Sequence, residues 1–96
     1  MSLFSEMRLP AEPSGVAPDG SDVWVMLGLA GGGLAQFRLG AGRVSKAVRH
    51  RTVEEIWFFV GGQGEMWRRQ GLVERIIAVE PGVCLTIPVG TSFQFR

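Results

Sequence analysis

The sequence predicts an all-β domain, on three observations. Short apolar runs recur along the chain, each closed by Gly or Pro. Several of these runs alternate apolar with polar residues, the period of a half-buried strand. No window carries a long apolar pattern of helical period, so short strands at regular spacing point to a sandwich or a barrel. A chain of 96 residues has room for one domain and one core, and 46% apolar content with 14 glycines is a globular composition.

Residues 1–21 read as an irregular N-terminal arm. Pro10, Pro13 and Pro18 interrupt regular structure, Asp19-Gly20 signals a turn, and a short strand is expected near Leu3–Leu9. Residues 22–96 read as the barrel domain. Val23–Leu29 is the first strand, closed by Gly31-Gly32-Gly33, and Leu34–Leu39 the second, closed by Gly40-Ala41-Gly42. Arg43–Arg51 alternates, with Val44, Ala47 and Val48 among Arg43, Lys46, Arg49 and Arg51. Glu55–Val60 is bulky and aromatic, and Gly61-Gly62-Gln63-Gly64 is expected to make a hairpin turn into Met66–Arg69. Leu72–Val79 follows Gly71. Pro81-Gly82 and Pro88-Val89-Gly90 then separate Val83–Ile87 from the last strand, Ser92–Arg96.

Charge and cysteine content narrow the function classes. The net charge is +1 and the basic residues are dispersed, so no nucleic-acid partner is expected. The one cysteine, Cys84, cannot build an internal disulfide framework and fits a reducing compartment. The longest uncharged stretch, Val23–Phe37, is too short for a membrane span and is broken by glycines. No basic start followed by an apolar block marks a signal peptide, so the expected setting is cytoplasmic, with no membrane partner. Gly31-Gly32-Gly33 is not followed by a helical pattern, which removes the context that a phosphate-binding loop needs.

Two spaced motifs carry a more specific resemblance. Gly42 is followed after five residues by Val48-Arg49-His50, after four more by Glu55, and after six more by Gly62. Gly82 is followed after five residues by Pro88-Val89-Gly90 and after two more by Phe93. This pair resembles the two motifs of the cupin family, G-x5-H-x-H-x4-E-x6-G and G-x5-P-x-G-x2-H-x3-N, with the glycines and the proline at every expected offset. The resemblance covers residues 42–96 and implies a double-stranded β-helix, a jelly-roll barrel. In typical cupins the two histidines and the glutamate of the first motif join the histidine of the second around a divalent metal. Here Val48 and Phe93 stand at two of those places and His50 and Glu55 at the others. The family asparagine would fall just past Arg96.

The resemblance implies a pocket inside the barrel. His50, the only histidine, shares a face with Val48 by alternation, and Glu55, Trp57 and Phe59 line the same cavity, which Phe93 enters from the second motif. Val48, His50, Glu55, Trp57, Phe59 and Phe93 are therefore the expected ligand pocket, with His50 and Glu55 its polar and catalytic candidates. A catalytic zinc site uses about three protein ligands plus water, so no cofactor is expected. A weak divalent-metal site on His50 and Glu55 is the alternative. Whether Cys84 faces inward is left open: Val83, Leu85 and Ile87 share the opposite face, while a lone cysteine in a strand is more often core than ligand. Glu54, Arg49 and Arg51 are expected to face solvent, and Arg68-Arg69 to form a hairpin surface. Trp24, Trp57 and Trp67 are core or interface candidates.

The expected function is binding of a small, partly apolar molecule. The alternative is a small enzyme of isomerase, lyase or dioxygenase type, using His50 and Glu55 as an acid–base pair or as part of a weak metal site. A homodimer is expected, because open edge strands invite pairing and Leu3, Phe4 and Trp24 offer apolar surface for a twofold contact.

Overall fold

The computed structural model describes residues 3–96. It is all-β, with no helix among the described residues and every strand pairing antiparallel. The strands are β1 (Gly15–Val16), β2 (Asp22–Leu29), β3 (Gly32–Arg38), β4 (Val48–Arg49), β5 (Glu55–Phe58), β6 (Gly64–Gln70), β7 (Val73–Val79), β8 (Cys84–Ile87) and β9 (Ser92–Phe95). They form three sheets of order β1-β2-β3, β4-β9-β6-β7 and β5-β8, with no shared ladder between sheets among the described residues.

Period-2 alternation explains which face of each strand is buried. In β8 and β9 it runs without interruption, Leu85 and Ile87 on one strand and Phe93 and Phe95 on the other being buried. With Met66 and Val79 these residues form the core, and Leu39, Val48, Trp57, Phe59, Ile77 and Val83 pack against it. The core therefore lies between the four-stranded sheet and the β5–β8 pair, and the β1–β3 sheet joins through side chains. The clearest of these contacts is Phe37 on Trp57, with ring centroids 5.8 Å apart and planes within 6°.

Several local expectations are corrected. No strand forms between Leu3 and Leu9; Leu3 and Phe4 lie exposed with no partner strand, and the arm pairs only at β1. The alternating run Arg43–Arg51 yields only the two-residue β4, because Ser45 and Lys46 spend their backbone donors on Phe95 O and Asp19 O. Gly61–Gly64 is a crossing between sheets and not a hairpin turn, since β5 pairs with β8 while β6 pairs with β7 and β9. The tight hairpin lies at Gly71-Leu72, where Gly71 takes φ +59° between β6 and β7. Trp24 is not free to seal a twofold contact: it is 4% exposed, donates Nε1–H to Pro10 O at 3.0 Å, and lies under the Arg38 guanidinium.

No helix among the described residues is long and apolar enough to cross a membrane.

Candidate functional site

β4 and β9 pair Val48 with Phe93 and Arg49 with Ser92. The Gly90 N–H donates to His50 O at 3.0 Å, one residue out of the β4–β9 register, and so ties the backbone at His50 to the turn before β9. On the facing sheet, β5 pairs Glu55 with Ile87 and Trp57 with Leu85, so the core residues Leu85 and Ile87 fix Glu55 and Trp57 on the inner face. Ile56 and Phe58 point the other way and are exposed.

The two sheets bring His50 and Glu55 into contact. His50 Nε2 lies 2.9 Å from Glu55 Oε1, and Trp57 Nε1–H reaches the same oxygen at 3.5 Å. The imidazole donates when its proton is on Nε2. The pair sits at the edge of the core, with side-chain exposures of 36% for His50 and 26% for Glu55. Beneath it lies an aromatic floor. The His50 ring is 5.5 Å from that of Phe93, and Trp57 meets Phe93 and Phe95 edge-on at 5.5 and 5.1 Å and Phe59 at 6.0 Å. The expected pocket residues Val48, His50, Glu55, Trp57, Phe59 and Phe93 thus gather in one place, although Trp57 fills much of the space between the sheets. Two clefts among the described residues lie elsewhere: one of about 350 Å³ is bounded by Asp22, Arg38 and Arg43, and one of about 240 Å³ by Trp67, Ile76 and Gln94 on the outer face of the four-stranded sheet.

Of the four positions at which the motif resemblance places metal ligands, only His50 and Glu55 carry donor atoms. Val48 and Phe93 carry no lone pairs, and the facing atoms of His50 and Glu55 are engaged with each other. Among the described residues no three His, Cys, Asp or Glu side chains gather. Cys84 is exposed, on the outer face of β8 beside Phe58, and so is not core. Glu54, Arg49 and Arg51 are exposed.

Two residues near the site were not expected there. Arg68, read from the sequence as hairpin surface, is half-buried, and the β6–β9 register sets it directly beside Phe93 on the inner face. Counting by twos from Met66, which is fully buried, would have found it; its neighbour Arg69 does face solvent. Thr91 is 3% exposed and its hydroxyl has no hydrogen-bond partner among the described residues. Counting back from Phe93 places it on the same inner face.

No family model matches the sequence, and neither curated proteins nor solved structures yield a match.

Proposed function

We propose that this chain is a small-molecule-binding module of cupin type that works without a tightly held metal. The strand pairing supports the fold assignment. β4 with β9, β5 with β8 and β6 with β7 are nested, as in one long hairpin folded over on itself, a pairing order that supports a jelly-roll reading. The motif glycines fit it as well: Gly42, Gly62, Gly82 and Gly90 all take positive φ.

The observation that carries the function is the His50–Glu55 pair at 2.9 Å, part-exposed above Trp57 and Phe93. Aromatic walls with a few convergent polar atoms are the usual make-up of a small-molecule site. A ligand seated there would pack beside the half-buried Trp57 and exchange hydrogen bonds with His50 or Glu55. The same distance is short enough for proton transfer, which favours the second reading, a metal-free acid–base enzyme of isomerase or lyase type. A dioxygenase would need metal ligands that Val48 and Phe93 do not supply.

The test is an NMR fragment screen read at the ring protons of His50, the chain's only histidine. Saturable shifts at His50 and at the Trp57 indole are expected, with a changed order of fragment affinities, read at Trp57, in His50→Ala. A diverse library that leaves both residues unmoved would refute the assignment of a pocket here.

A further inference from the structure

We propose that the His50–Glu55 site takes a ligand bearing a carboxylate, and that Arg68 with Arg75 receives it. This rests on the reading of that site as a ligand pocket and names the chemistry of what enters it.

The β6–β9 and β6–β7 registers both pass through Arg68, opposite Phe93 on one side and Arg75 on the other. With Val48 opposite Phe93, the four residues form one lateral row across the inner face of the sheet, Val48-Phe93-Arg68-Arg75. The apolar half of the row belongs to the floor under His50. The other half is two guanidinium-bearing side chains placed directly across from each other, an arrangement in which like charges repel. Arg68 also reaches the facing sheet, donating from Nη1 to Thr86 O at 3.0 Å. Thr86 is the strand partner of Ile56, next to Glu55. The guanidinium therefore bridges the two sheets at the end where Glu55 emerges.

Arg75 is exposed, and neither arginine pairs with a carboxylate among the described residues. The ion pairs among the described residues are Arg38 with Asp22, His50 with Glu55 and Arg96 with Glu65. Glu55 is the acidic residue of the inner face at this end, and its Oε1 is taken by His50 and Trp57. A guanidinium has about five N–H donors, and only one of Arg68's meets a protein acceptor. The free donors form a planar fork, the geometry that matches a carboxylate with two parallel bonds. A carboxylate bound there would relieve the repulsion between Arg68 and Arg75. The body attached to it would extend towards the hydrogen-bonding pole made by His50 and Glu55, beside the half-buried Trp57.

The test titrates the full chain with sodium benzoate and, separately, with benzyl alcohol, at constant ionic strength set by sodium chloride. NMR reads the His50 ring, the Trp57 indole and the Arg68 side chain. Benzoate should give saturable shifts at all three, with a Kd on the order of 1 mM. Arg68→Gln should weaken it about tenfold, with Arg68→Lys between the two. Arg69→Gln, on the opposite face, should leave the affinity unchanged and controls for net charge. If benzyl alcohol saturates His50 and Trp57 while benzoate does not, or if Arg68→Gln with a native-like spectrum binds benzoate as the parent does, the carboxylate assignment is overturned and the pocket stands. If neither probe moves His50 or Trp57, both the pocket and the carboxylate assignment fall.

Discussion

Replacing Trp57 with alanine should cost this protein a large share of its stability. The indole contacts four other aromatic rings, Phe37, Phe59, Phe93 and Phe95, at centroid distances of 5.8, 6.0, 5.5 and 5.1 Å. They come from three different sheets or their flanks, so one side chain holds together elements that share no backbone ladder. A tryptophan burying on the order of 150 Å² contributes about 4 kcal/mol at ~25 cal/mol per Å². The ring-to-ring geometry adds to this, while partial exposure and relaxation of the neighbours subtract, so a loss of about 3–4 kcal/mol is expected. A domain of this size is stabilised by roughly 5–14 kcal/mol in all. With a urea m-value of about 1 kcal/mol/M, the unfolding midpoint should fall by about 3 M. Circular dichroism against urea measures it. Trp57→Phe, which keeps a ring against Phe37, should lose less than half as much. A midpoint shift below about 1 M for the alanine variant would mean that the aromatic cluster does not join the sheets, and the account of the core would fail with it.

Three further outcomes follow from single contacts. Gly64→Ala should destabilise by more than about 3 kcal/mol, because a Cβ there would overlap the Arg96 carbonyl where the end of the chain pairs with Glu65; a thermal melt reads the loss. Thr91→Val, by contrast, should be neutral or stabilise by about 1 kcal/mol in urea unfolding, since it removes a buried hydroxyl without a partner and keeps the shape; a loss above about 1 kcal/mol would show that the hydroxyl is bonded in solution. Val48→His with Phe93→His should bind zinc in calorimetric titration where the parent does not, because Val48 and Phe93 are strand partners on the face that carries His50 and Glu55. Equal binding by parent and variant would show that these four positions do not converge on one point.

The class of the fold was legible because strand chemistry is local. Glycines and prolines punctuate the chain where turns occur, and alternation in β8 and β9 is strict, so Leu85, Ile87, Phe93 and Phe95 declare their faces. Pairing is not local, and there the sequence misled. Gly61-Gly62-Gln63-Gly64 has the composition of a hairpin turn, yet β5 and β6 lie in different sheets, because the partners of β5 are supplied far along the chain by Cys84–Ile87. The short arm strand failed for a related reason: Leu3–Leu9 has strand-like residues but nothing to pair with. Arg68 was missed because a doublet of arginines looks like solvated surface. The burial of Met66 two residues before it and the register with Phe93 show that the doublet is split, one side chain inward and one outward.

The same register places Val48 and Phe93, where the cupin motifs would have imidazoles, within the apolar core. Val48 and Phe93 are not two empty places at the edge of a pocket: they are opposite one another in the ladder, Phe93 is 2% exposed, and its ring touches both His50 and Trp57. Apolar side chains at these two positions extend the core to the point where polar chemistry resumes. At that boundary His50 and Glu55 satisfy each other, which removes the cost of two solitary polar groups against an apolar floor. A pair so satisfied is also neutralised as a recognition element, because a ligand must displace one bond to gain another. The uncompensated groups of the inner face are instead Arg68, with most of its donors free, and Arg75 beside it. Affinity in this site should therefore come from the arginines and the aromatic floor, while His50 and Glu55 set which polar group the ligand presents at its other end. That division makes a distinct expectation for variants: changes at Arg68 should scale the affinity for every carboxylate alike, whereas Glu55→Gln should reorder affinities among carboxylates that differ in their second polar group. A panel of benzoates with and without a hydroxyl substituent separates the two effects, and a uniform loss across that panel in Glu55→Gln would show that Glu55 supports the site without reading the ligand.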